Sequence, residues 1–148
     1  MMMRKATSDD VPRLVEMGHR FLSSTSYAGA IADNPDQMAA TASMLIEHPH
    51  GCVLVAENEA HALVGMLGAI VYAHHISGES VCGEVFWWVE PEHRGVGVRL
   101  LRAIETWATG KGALKMQMIA PTPDVCVLYE RLGYAPVETA YQRTLGAR

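Results

Sequence analysis

The sequence predicts a mixed α/β fold, a single mostly antiparallel sheet of about six to seven strands flanked by about four helices. Three observations carry this expectation. The apolar spacing switches between strand and helix periods in the order β-α-α-β-β-β-α-β-α-β-β. Capping residues, prolines and glycines stand at most of the switches. The chain has 148 residues, 49% hydrophobic and 19% charged, which suits one domain spanning 1–148.

Met2 to Ala6 is short and apolar-basic, as an edge strand would be. Ser8 followed by Asp9 and Asp10 reads as a helix start, with acids in the first turn. Val11, Leu14, Val15, Met17, Phe21 and Leu22 continue at helical spacing. Ser23 to Asp33 is small and polar and reads as loop. A second helix opens with Asn34 as cap, Pro35 in its first position and Gln37 completing a capping-box-like pattern. Met38, Ala42, Leu45 and Ile46 give its buried stripe, and His48-Pro49-His50-Gly51 ends it.

Cys52 to Glu57, Ala62 to Ala73 and Ser80 to Val89 read as three strands of an antiparallel meander. Asn58-Glu59 and Ser77-Gly78-Glu79 supply the turns, and Gly65 and Gly68 mark a bulge in the middle strand. After Pro91 the period becomes helical, with Leu100, Leu101, Ile104, Trp107 and Ala108 on one face and an end near Gly110 or Gly112. Leu114 to Ile119 reads as a short strand. Thr122-Pro123 opens a further helix with apolar positions Val125, Leu128 and Leu132, closed by Gly133. Tyr134 to Val137 and Thr139 to Leu145 read as a terminal pair of strands.

Composition excludes several classes. The longest apolar run, Ala62 to Ala73, is shorter than the roughly 20 residues of a membrane span. The N-terminal Met-Met-Met-Arg-Lys leads into polar residues, unlike a signal peptide. Twelve basic against 16 acidic residues give a net charge of −4, and no lysine or arginine block suggests nucleic acid. The three cysteines, at 52, 82 and 126, form no paired spacing, so a reducing cytoplasm is expected. His48, His50 and Cys52 match no usual zinc spacing, and no metal is expected. Cys126 reads as a packing residue. His74 and His75 adjoin at a strand end, so only one can face a cleft.

The chemistry concentrates in Val89-Glu90-Pro91-Glu92-His93-Arg94-Gly95-Val96-Gly97-Val98-Arg99. A strand runs into a glycine-rich turn that opens an amphipathic helix. The first N–H groups of a helix lack internal partners and carry its positive end, so the turn suits an anion. Arg94 adds a fixed positive charge. The Gly-Lys-Ser/Thr ending of a Walker loop is missing, and a turn following an antiparallel meander is a poor dinucleotide fingerprint.

This segment resembles the acyl-coenzyme A motif of the GNAT acetyltransferases, Val-x-Pro-x-x-Arg-Gly-x-Gly-x-Gly/Ala. A second motif of that family is similar to Leu128-Tyr129-Glu130-Arg131-Leu132-Gly133-Tyr134. The motifs lie in the family's order within a matching layout, so the resemblance covers nearly the whole chain. It implies a GNAT-like N-acetyltransferase using acetyl-CoA as co-substrate, without a metal, on a small-molecule or peptide amine. It also implies a chain free to form a homodimer.

By the same resemblance, the backbone at Val89 pairs with the pantetheine arm in a gap between splayed strands. The amides of Arg94, Gly95, Val96, Gly97 and Val98 hold the pyrophosphate, and Tyr129 protonates the leaving thiolate. Glu84 is the candidate base for the attacking amine, on a face expected to alternate Glu84, Phe86, Trp88. Trp87 and Trp88 point to opposite faces. One is expected in the core and the other on the acceptor pocket, with the loop Ser23 to Asp33, including Tyr27, shaping acceptor choice. Three positions depart from the family pattern: Arg99 for Gly or Ala, Thr122 for Asn and Val125 for Ala. Arg99 either swings outward to add a phosphate contact, the favoured reading, or crowds the site. In the second case the chain is a non-catalytic acyl-CoA-binding or degenerate module.

Overall fold

The computed structural model describes residues 1–146. They form a sheet of five strands in the order β1-β2-β3-β4-β5. These are β1 Met2–Lys5, β2 Gly51–Glu57, β3 Leu63–Ala73, β4 Ser80–Val89 and β5 Lys115–Gln117. Four helices accompany them: α1 Val11–Ser24, α2 Pro35–Glu47, α3 Val96–Gly110 and α4 Pro123–Arg131. The first four strands pair antiparallel and β5 runs parallel to β4.

Two apolar layers sandwich the sheet, following the period-2 alternation of its strands. On one side Leu14 and Met17 of α1 and Ala42 and Leu45 of α2 pack on Val53, Val55, Met66 and Trp88. On the other, Leu100, Leu101 and Ile104 of α3 pack on Leu54, Leu67, Cys82 and Val89. Leu100, Leu101 and Ile104 have no exposure at all, as the sequence stripe required.

Helix ends follow local chemistry. Asn34 Oδ1 accepts from the Gln37 N–H at 3.1 Å, while the Gln37 side chain turns to Thr41 instead of closing the box. A 3-10 turn, Ser8–Asp10, occupies the expected helix start, and α1 itself begins later, at Val11. Thr7, not Ser8, is the cap, and its N–H donates to Asp10 at 2.8 Å ahead of a single 3-10 turn. Arg4 clasps the same carboxylate, which holds Asp10 below the usual carboxylate range.

The sheet is smaller than expected in two places. Residues 135–145 form no strand, and Val137, Tyr141 and Leu145 are almost fully exposed. The β-rich composition of this tail is not matched by a partner. β5 is cut to Lys115–Gln117 because its parallel pairing with β4 ends at Gly83 and Gln117. Beyond that point the two chains separate. Among the described residues, no helix is long and apolar enough to cross a membrane.

Candidate active site

β4 carries a bulge that decides which way the site faces. Gly68 pairs with Phe86 and Ala69 with Glu84, leaving Val85 as the extra residue. Upstream, Cys82 and Glu84 lie on the α3 side. Downstream, Trp87 and Val89 share that side, while Phe86 and Trp88 face α1 and α2. The expected alternation Glu84, Phe86, Trp88 on one face is therefore wrong. Gly68 makes the arrangement possible, since a Cβ there would stand 2.5 Å from the Phe86 ring.

The bulge turns Glu84 toward α4. Its Oε1 accepts the Ile119 N–H at 3.2 Å and lies 3.4 Å from the Tyr129 hydroxyl. That hydroxyl donates to the Ile119 carbonyl at 2.8 Å. Glu84 is half-buried, and desolvation raises its carboxyl from 4.5 to about 7, against the opposing pull of the Ile119 N–H and Tyr129. Tyr129 is buried, and desolvation followed by the nearby Glu84 charge pushes its hydroxyl well above 10. Its ring stacks on Trp87 with centroids 5.8 Å apart and planes at 18°.

Glu84 lines a cavity of about 620 Å³, and Tyr129 reaches its wall only through the stack on Trp87. The cavity opens where β4 and the chain after β5 diverge, and it runs to the start of α3, where Val89, Arg94, Gly97 and Val98 line it. The Arg94 guanidinium sits 4.6 Å over the Trp88 ring, which holds its charge at the cavity edge. Gly97 is buried, and a Cβ there would come within 3.2 Å of Trp87. Gly95 differs, because no protein atom lies within 4 Å of its added Cβ.

The α3 start has the character an anion needs. The Gly97 N–H closes onto the Arg94 carbonyl at 3.1 Å, while Gly95 and Val96 make no such turn bond. No acidic side chain lies in the first turn of α3. The open face at Gly95, a free helix start and Arg94 together fit a pyrophosphate. Arg99 is exposed and does not line the cavity.

Several features were hidden from the sequence. Glu90, inside the motif, is 4% exposed and is gripped by Arg13 at 3.1 Å and Arg20 at 2.8 Å. Arg13 also donates to the Leu63 carbonyl, tying α1 to the start of β3 as well as to the turn that leads into α3. The Thr122 hydroxyl makes no capping bond, although its carbonyl accepts from Val125 and Cys126. Cys126 is exposed, not a packing residue. Trp88 is core, and both Trp87 and Trp88 line the cavity with Tyr27. Among the described residues, no cluster of three or more histidine, cysteine or carboxylate side chains is set to hold a metal.

Residues 17–134, well over half of the chain, match the family model described as the acetyltransferase (GNAT) family. The chain belongs to that family. Solved GNAT structures share the fold along its whole length. An aminoglycoside antibiotic 6'-N-acetyltransferase from Acinetobacter haemolyticus superposes with a TM-score of 0.76 at 19% identity, covering 100% of both chains. A ribosomal-protein-alanine N-acetyltransferase from Brucella melitensis gives 0.70 at 19% identity, over 98% of this chain and 100% of its own. An acetyltransferase from Trypanosoma brucei gives 0.73 at 19% identity, over 97% and 99%. No curated protein sequence gives a significant match. At these identities the GNAT structures speak for the fold alone.

Proposed function

We propose that this GNAT chain transfers an acetyl group from acetyl-CoA to a primary amine by direct attack with both substrates bound. The observation that carries the reading is the Glu84–Tyr129 pair, 3.4 Å apart, beside the cavity that the α3 start also lines. Within the Arg94–Val98 turn the N–H groups of Gly95 and Val96, which make no turn bond, lead in holding the pyrophosphate, with Arg94 and an outward Arg99 supplying charge. The edge of β4 at Val89 pairs with the extended arm. Acetyl-CoA supplies the thioester.

A protonated amine cannot attack, and a free alkylammonium holds its proton to about pH 10.4. Glu84, raised to about 7, remains an acceptor at neutral pH and is basic enough to take that proton. The neutral amine then forms the C–N bond at the thioester carbonyl, and the C–S bond breaks. The ammonium gives up two protons in all, one ending on the sulfur and the other in solvent. Tyr129 stays protonated throughout the neutral range, so its hydroxyl is present to donate to the leaving thiolate.

Titration calorimetry with acetyl-CoA, followed by thiol release with a panel of amines, tests the reading. Glu84→Gln and Tyr129→Phe should each keep acetyl-CoA affinity and lower kcat by roughly 10²-fold or more. Tight acetyl-CoA binding without turnover of any amine would establish a non-catalytic module in its place.

A further inference from the structure

A second cavity, of about 310 Å³, lies between α1, α2 and β4 on the opposite side of the bulge. Leu14, Phe21, Met38, Ala42, Met66 and Phe86 form most of its wall. Asn34, Gln37 and Thr41 are its polar members, and they are already engaged with one another and with the α2 backbone. No charged side chain lines it. Phe21, Ile31 and Val85 border both this space and the larger cavity. Through these three shared residues the apolar space adjoins the cavity that Glu84 lines.

We propose that the acceptor is a small primary monoamine with an apolar body, its amine at Glu84 and its body in the α1–α2 cavity. This rests on the acetyl-transfer reading above and names the class of amine. A polycation needs several carboxylates around it, and the two cavities together present Glu84 and Asp124. Asp33, close by in sequence, is occupied by His19. An ammonium group met by Glu84, with alkyl or aryl carbon beyond it, matches that carboxylate and the apolar wall of the α1–α2 cavity.

An n-alkylamine ladder from propylamine to octylamine tests this, with spermidine, kanamycin and a peptide N-terminus alongside, read as kcat/KM by thiol release. Each methylene should raise kcat/KM by about three- to fourfold until the cavity is full, the rate equivalent of burying one CH2 group. Hexylamine should exceed spermidine and kanamycin. A flat ladder, or spermidine, kanamycin or the peptide ahead of hexylamine, overturns the proposal.

Gln37→Glu adds a carboxylate at an exposed position near the start of α2, where acids are tolerated, so the fold should survive. It should reduce the ladder to under about twofold per methylene, and an unchanged slope would sink the proposal. The ladder is also titrated against tryptophan fluorescence without acetyl-CoA, since Trp87 and Trp88 line the larger cavity. A protein that binds no acetyl-CoA but ranks amines by chain length loses the transferase reading and keeps the cavity's preference. One that acetylates spermidine best does the reverse.

Discussion

Gly95 separates a glycine needed by the fold from one needed by a ligand. Its φ of −60° and ψ of −19° lie in the ordinary right-handed helical region. An added Cβ meets no protein atom within 4 Å. Alanine at such a position restricts the unfolded chain at no cost to the native one, and stabilises by about 0.4–1 kcal/mol. Glycine's usual advantage over alanine at helix caps does not apply, because that advantage belongs to extended cap dihedrals. Gly95→Ala should therefore raise Tm by about 1–4 °C.

Under the proposed acetyl-CoA site, the same methyl group would stand where phosphate oxygens approach the α3 N–H groups. Losing one charge-assisted hydrogen bond costs about 1.5–3 kcal/mol, so the Kd for acetyl-CoA should rise roughly 10- to 150-fold. Thermal melting and calorimetry on one preparation read both effects. Acetyl-pantetheine, which lacks the pyrophosphate, should bind both proteins alike. A lower Tm, an unchanged acetyl-CoA Kd or equal weakening toward both donors would refute the assignment of the α3 start to the pyrophosphate.

Three further outcomes follow from the geometry. Because the Glu84 carboxyl is raised from 4.5 to about 7, its contribution to stability is complete below about pH 4.5 and is lost as pH climbs through 7. Glu84→Gln should thus gain on the native protein by on the order of 2–3 kcal/mol between pH 5 and 8, and parallel Tm curves across that range would contradict the burial argument. Arg13→Ala strips buried Glu90 of a partner and should cost about 1–3 kcal/mol. Removing Glu16, the exposed partner of the same arginine, should cost under about 0.5 kcal/mol in urea denaturation, and equal losses would be inconsistent with the buried clamp. Gly68→Ala must displace the Phe86 ring and should cost about 1–3 kcal/mol while also lowering turnover; a variant as stable and active as the native chain would show the bulge adapts freely.

Much of this was legible because it is local. Asn34-Pro35 announces α2 through a cap bond three residues long, and the periodicity of β2, β3 and β4 places their ends within a residue. The acyl-CoA motif was equally visible, since a strand, glycine turn and helix are contiguous. The failures share a cause. The face of Glu84 depends on an extra residue that only the pairing with β3 reveals. Nothing beside Glu90 in the sequence announces Arg13 and Arg20, which reach it from α1. The tail after Gly133 has strand-like residues, yet composition cannot supply a neighbour to pair with. Thr122 has a capping hydroxyl in sequence and uses only its carbonyl in the structure.

The extra residue at Val85 amounts to a phase slip in a two-beat pattern. Without it, the strand would be a continuous partition, and a side chain on one side would have no access to what lies on the other. With it, a carboxylate facing the α3 compartment is followed at once by a residue that borders the space beneath α1 and α2. The two compartments thus share a wall at Phe21, Ile31 and Val85.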